Sequence, residues 1–206
     1  MKYRIKICGV TRPQDAELAC ELGAHAIGLI FAGSPRQVSL KQARDVVREL
    51  PPFITPVGVF VNEPVEELMT AVDKCGLGAV QLHGDETPEY ANQLEGVSVI
   101  RAIRVRDASS LEGLDAYDVH AFLLDTFSKE RRGGTGNTFN WDLADHARLH
   151  RPLILSGGLK PENIREAIQT VRPYGVDVSS GIESQPGIKD EARMRRLFEE
   201  ITVVSG

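Results

Sequence analysis

Short apolar, β-branched runs alternate along this chain with stretches whose apolar residues recur every three or four positions. The runs at 3–8, 26–31, 54–61, 79–83, 97–105, 120–125, 152–156 and 175–179 read as strands. Between them, Ala43, Val46, Val47 and Leu50 mark one helical stripe, and Val65, Leu68, Met69 and Val72 a second. Ile164, Ala167, Ile168 and Val171 mark a third, and Met194, Leu197, Phe198 and Ile201 a fourth. Stripes of this kind are packing faces. Thr11 with Gln14 and Ser39 with Gln42 have the spacing of capping boxes, Pro13 and Pro161 stand at expected helix starts, and Gly23 and Gly76 at expected stops.

Strands that alternate with helices predict a parallel sheet, either open and doubly wound or closed into a (β/α)8 barrel. The dinucleotide fingerprint that would favour the open form is missing, because Cys8-Gly9-Val10-Thr11 follows the first strand. The last two strands each end in a small, glycine-bearing loop, Ser156-Gly157-Gly158 and Ser179-Ser180-Gly181. That pairing favours a single (β/α)8 barrel domain over residues 1–206, since no linker or low-complexity tract divides the chain.

Composition narrows the function. A length of 206 residues fits one domain with a substantial core, and a net charge of −5 argues against a nucleic-acid partner. The basic cluster Lys129-Glu130-Arg131-Arg132 is too short to reverse that and reads as a solvated loop. No apolar run is long enough for a bilayer, and the N-terminus alternates as a strand rather than a signal peptide. Cys8, Cys20 and Cys75 form an odd set without CxxC spacing, so neither a disulfide framework nor a zinc site is expected. A reducing cytoplasm fits. His146 and His150 have helical i, i+4 spacing but no evident third ligand, so they read as an exposed helix face and no metal site is expected.

Barrel enzymes commonly hold phosphate with the loops after strands seven and eight, where glycine leaves backbone N–H groups unhindered. Gly157 and Gly158 follow the seventh strand, and Ser180 and Gly181 the eighth. A third cluster, Gly133-Gly134-Thr135-Gly136, lies after the sixth, and Asn137-Thr138 there excludes a P-loop. One such cluster alone is an ordinary turn. Three after consecutive strands point to a mononucleotide or sugar phosphate.

Cys8, His83, Asp125 and Asp177 stand at strand C-termini, the catalytic face of such a barrel. Strand alternation puts Arg4, Lys6 and Cys8 on one face, Gln81 and His83 on one face, and Ala121, Leu123 and Asp125 on one face. If Cys8 points into the barrel mouth, Lys6 points inward below it and needs a carboxylate, from Asp125 or Asp177. A cysteine opposite an aspartate suits a base and an acid better than an acyl-transfer triad, since no GxSxG elbow is present. Arg36, in Gly33-Ser34-Pro35-Arg36, presents a planar fork suited to a substrate carboxylate.

Taken in order, the segments Lys6-Ile7-Cys8-Gly9-Val10-Thr11, Ser34-Pro35-Arg36, Gly58-Val59-Phe60, Gln81-Leu82-His83-Gly84, Leu124-Asp125, Gly133-Gly134-Thr135-Gly136, Ser156-Gly157-Gly158-Leu159 and Asp177-Val178-Ser179-Ser180-Gly181-Ile182-Glu183 resemble the phosphoribosylanthranilate isomerase family. The resemblance implies an Amadori rearrangement of N-(5′-phosphoribosyl)anthranilate to the 1-deoxyribulose 5-phosphate ketoamine in tryptophan biosynthesis, with no metal or organic cofactor. It implies Asp125 as general acid at the ribose ring oxygen and Cys8 as general base at C2′. Arg36 would hold the anthranilate carboxylate, and Gly134, Gly136, Gly157, Gly158, Ser180 and Gly181 the phosphate, with His83 and Asp177 lining the site. Asn137 stands where the family often has lysine, so what the resemblance implies there is phosphate contact by the backbone of the loop. An indole-glycerol-phosphate synthase would need a lysine acid and glutamates at strand ends, and a histidine-pathway sugar isomerase an aspartate at position 8. A non-catalytic sugar-phosphate sensor would keep the glycine loops and have no use for an opposed Cys8 and Asp125.

Overall fold

The computed structural model describes residues 2–125 and 151–205. Eight parallel strands close into a barrel: β1 (Arg4–Cys8), β2 (Ala26–Ile30), β3 (Thr55–Phe60), β4 (Ala79–Leu82), β5 (Ser98–Arg104), β6 (Ala121–Asp125), β7 (Leu153–Ser156) and β8 (Gly175–Val178). Strand β1 pairs with both β2 and β8, which closes the sheet. Every expected strand is present, shorter by one residue at one or both ends. The described helices are α1 (Pro13–Leu22), α2 (Leu40–Arg48), α3 (Val65–Cys75), α4 (Pro88–Ala91), α5 (Ile164–Val171) and α6 (Glu191–Ser205). None of the described helices is long and apolar enough to cross a membrane.

Local chemistry explains where these elements start and stop. Ser39 caps α2 as expected: its hydroxyl accepts from Gln42 N and its own N–H donates to Gln42 Oε1. Gly23 and Gly76 end α1 and α3 in the left-handed region, at φ 102° and 67°. Thr11 does not cap α1. Its hydroxyl donates instead to Gly187 O at 2.6 Å, in the loop of a small hairpin of β9 (Glu183–Gln185) and β10 (Ile188–Lys189), and Arg12 takes the cap position without a side-chain capping bond. Pro161 lies in a turn ahead of α5 rather than at its first residue. Between β5 and β6 two 3-10 turns, Ala108–Leu111 and Leu114–Ala116, stand where the repeating pattern predicts a helix.

Two apolar clusters follow from the alternation of each strand. Outward residues such as Ile5, Ile7, Leu29, Leu82, Phe122 and Leu124 pack under the helices, against Leu68, Ile168 and Leu197. Inward residues Val57, Ala79, Ile100, Ala102, Ala121 and Leu123 form a separate cluster inside the barrel. Nearer the C-terminal ends of β1, β4 and β8 an inward position is polar instead, and Lys6, Gln81 and Asp177 are buried there. Those three residues lie beneath the C-terminal mouth, where the functional side chains gather.

Candidate active site

The register of the barrel seam explains the burial of Lys6. Lys6 and Asp177 are direct partners across β1 and β8, and Lys6 Nζ lies 2.9 Å from Asp177 Oδ1. Of the two carboxylates that alternation leaves open, the geometry therefore selects Asp177. Its other oxygen is 3.4 Å from the Ser156 hydroxyl at the end of β7. Burial works against the Lys6 charge, but the Asp177 carboxylate and then Cys8 outweigh it and hold the lysine pKa above its ordinary value.

Cys8, at the end of β1, is buried and points into the mouth beside Gly28, its register partner on β2. A Cβ on Gly28 would lie 2.8 Å from Cys8 Sγ and 3.1 Å from Lys6 Nζ, so the missing side chain is what admits both. Burial, and secondarily Asp177, push the thiol pKa up, while the Lys6 and Lys189 ammonium groups pull it down. Lys189 reaches Cys8 from behind: Nζ donates to the Cys8 carbonyl at 2.6 Å and to the Ser179 carbonyl at 3.3 Å.

The same lysine ties Cys8 to Arg36. Glu183 Oε1 accepts from Lys189 Nζ at 2.9 Å, and the carboxylate accepts from Arg36 Nε and Nη2 at 2.8 and 2.7 Å. Burial would raise the Glu183 pKa, but the bonds from Arg36 and Lys189 win and lower it. Glu183 thus fixes one edge of the guanidinium and leaves Nη1 as the edge it does not engage.

Opposite Cys8, His83 Nε2 lies 3.3 Å from Asp125 Oδ2. A cavity of about 240 Å³ connects these groups, with Cys8, Arg36, His83, Asp125, Asp177, Gly157, Gly158 and Ser180 among its lining residues. Gly157 and Gly158 adopt φ of 93° and 63°, a backbone that side chains disfavour. Gly181 does not line the cavity. It lies behind it, where a Cβ would meet the Leu159 carbonyl at 1.9 Å, so this glycine lets the loops after β7 and β8 touch. Among the described residues, the backbone N–H groups of Gly158, Ser180 and Gly181 have no acceptor. Gly134, Gly136, His146 and His150 lie outside the described residues.

A larger cavity, about 510 Å³, opens at the opposite mouth, but its histidines are committed to structure. His25 Nδ1 accepts from Ile5 N and His120 Nδ1 from Val99 N, each capping a neighbouring strand. Among the described residues no group of three His, Cys, Asp or Glu side chains is placed to hold a metal. Sequence reasoning gave no role to Gln81, Glu183 or Lys189. The signal available was chemical, since an arginine and a lysine held near a buried cysteine need a carboxylate, and Glu183 closes the last quoted motif.

Comparison with known proteins agrees with this geometry. The sequence model described as N-(5′phosphoribosyl)anthranilate (PRA) isomerase matches residues 5–200. An N-(5′-phosphoribosyl)anthranilate isomerase from Geobacter sulfurreducens is 52% identical over 196 residues, covering 95% of this chain and 96% of the relative. The crystal structure of phosphoribosyl anthranilate isomerase from Thermotoga maritima superposes with a TM-score of 0.89 at 42% identity, covering 98% of this chain and 99% of that one. A second solved structure, of a phosphoribosyl anthranilate isomerase in complex with reduced 1-(o-carboxyphenylamino)-1-deoxyribulose 5-phosphate, gives a TM-score of 0.86 at 40% identity, with 98% and 99% coverage. A buried cysteine facing an aspartate across a glycine-looped barrel mouth, carried by a sequence this similar throughout, has one family assignment: the chain belongs to the N-(5′-phosphoribosyl)anthranilate isomerases.

Proposed function

We propose that this chain converts N-(5′-phosphoribosyl)anthranilate to 1-(2-carboxyphenylamino)-1-deoxyribulose 5-phosphate by general acid–base catalysis in the cytoplasm, as one barrel domain and without nucleic acid. The observation that carries the reading is that Cys8 and Asp125 line one cavity together with Arg36 and the loops after β7 and β8. The unengaged N–H groups of Gly158 and Ser180 suit a phosphate, and the Nη1 edge of Arg36 suits the anthranilate carboxylate. With both ends held, Asp125 protonates the ribose ring oxygen and the C1′–O bond opens to an iminium. Cys8, as thiolate, removes the C2′ proton that the iminium has made acidic, and the enolamine tautomerises to the ketone. The test is loss of substrate fluorescence on addition of the purified chain to phosphoribosylanthranilate. Absence of turnover by a folded preparation would refute the reading.

Two further outcomes follow from the site. The base works as a thiolate, and burial and then Asp177 raise the Cys8 pKa. Because Asp125 must hold its proton while Cys8 has lost its own, kcat/KM is expected to trace a bell with pH, one limb set by each group, with the Cys8 limb moved to higher pH by its burial. Lys189→Met removes a charge that pulls the pKa down, so its profile should shift to higher pH than the wild type; an unmoved profile would count against Cys8 as the base. Gly181→Ala drives a methyl into the Leu159 carbonyl and parts the two phosphate loops. Its KM should rise about tenfold or more, the loss of one charged hydrogen bond, with a smaller change in kcat. Steady-state kinetics at saturating and limiting substrate separate these effects.

A further inference from the structure

Gln81 joins the two polar ends of the barrel interior, and its bonds run in only one consistent direction. Lys6 Nζ lies 2.9 Å from Gln81 Oε1. An ammonium has donors only, so the amide oxygen must face it and the amide nitrogen must face away. That nitrogen is 2.8 Å from His83 Nδ1. An amide NH2 only donates, so Nδ1 accepts, and a neutral imidazole accepting at Nδ1 carries its proton on Nε2. Nε2 is the atom 3.3 Å from Asp125 Oδ2. At 3.3 Å the two atoms are close but do not form a hydrogen bond in this structure, a separation of the kind that tightens when substrate closes an active site.

The surroundings hold this line of groups in place. Asp177 anchors Lys6 at its far end. The backbone on either side of His83 is gripped from β5, where Arg101 Nη1 donates to the carbonyls of Leu82 and Gly84 and Arg104 Nη2 to that of His83 itself. Glu86 pairs with Arg101 and accepts from Gly84 N, which closes the clamp. A surface histidine with a free choice of tautomer would need none of this.

We infer that His83 is a positioning residue for Asp125, its Nε2–H tautomer imposed from within the barrel by Lys6 through Gln81. The inference rests on the reading of Asp125 as the general acid. In that step the proton leaves one oxygen of Asp125 for the ring oxygen, whose bond to C1′ breaks and leaves it the electron pair. The new carboxylate charge is met at Oδ2 by the His83 N–H, and His83 neither gains nor loses a proton. The other tautomer would aim a lone pair at the carboxylate and oppose the transfer.

Two variants of equal polarity and different reach test it. The amide of His83→Asn ends near the place of Nδ1, whereas that of His83→Gln reaches the place of Nε2. His83→Asn is expected to lower kcat about 100-fold with KM within about threefold, and His83→Gln to recover at least about tenfold of that loss. Nitrogen-15 shifts of the histidine ring in the wild type, assigned by the signal missing from His83→Gln, should show Nδ1 unprotonated and Nε2 protonated. In Gln81→Met that bias should weaken. Equal losses in the Asn and Gln variants, an effect on KM alone, or a proton on Nδ1 would each overturn the inference. Asp125→Asn assayed beside them separates the two levels. If it is inactive while Asn and Gln at position 83 behave alike, the acid stands and the positioning role falls; if it is fully active, both fall.

Discussion

Cys8→Ala and Asp125→Asn are each expected to lower kcat at least about 10³-fold while product binding changes little. The size follows from the division of labour across the cavity. Removing the thiol leaves Lys6 and Lys189 nearby, and Lys6 is tied to Asp177 and Lys189 to Glu183, so neither replaces the base. Removing the Asp125 proton leaves the ribose ring closed, and no later step can begin. Neither change touches Arg36 or the loops at Gly157 and Gly158, so binding energy remains. Cys8→Ser sharpens the test, because a serine hydroxyl fits beside Gly28 yet does not ionise near neutrality; it should be about as inactive as alanine. Fluorescence-monitored turnover and equilibrium binding of product, on variants with wild-type circular dichroism, would decide. Turnover that persists in Cys8→Ala would remove the proposed mechanism.

The largest effect on stability is expected at the barrel seam. Lys6→Met should cost about 3–5 kcal/mol, because it leaves the Asp177 carboxylate buried without its partner. Asp177→Leu should cost a similar amount by stranding the ammonium. Lys6→Met combined with Asp177→Leu should be more stable than either single variant, since two apolar side chains leave no buried charge behind. Urea unfolding midpoints measure this, and additive losses in the double variant would contradict it. The pH dependence has a defined sign. The folded-state pKa of Lys6 is raised, so the stability it contributes is complete below the ordinary lysine value and is lost only as pH rises through the raised one. Acidic and neutral buffers should therefore leave this contribution intact.

The barrel and the inward placement of Cys8 and Asp125 were legible in the sequence because both rest on short-range rules, whereas the roles proposed for the pair rest on the family resemblance. Strand alternation alone turns Cys8 and Lys6 inward together and puts Asp125 on the face of Leu123. Chemistry then demands a carboxylate for Lys6, but only the register between β1 and β8 could choose Asp177 over Asp125. The residues that went unassigned depend on contacts far apart in the chain. Arg36 meets Glu183 across 147 positions, and Lys189 meets Cys8 across 181, distances over which periodicity carries no information. Thr11 shows the converse error. Its local spacing fits a capping box, yet the hairpin of β9 and β10 supplies Gly187 O as a better acceptor. Local rules describe what a side chain can do, and the closed barrel decides which option it takes.

The seam has a consequence for how the protein comes into being. Cys8 leaves a ribosome well before Asp177 and Lys189, which follow it far along the chain. Until the eighth strand docks against the first, the cysteine is an ordinary solvated thiol, Lys6 has no carboxylate beside it, and the two phosphate loops have no shared wall. Nascent chains, and fragments that stop short of the eighth strand, are therefore chemically silent. The site is whole only once the eighth strand pairs with the first.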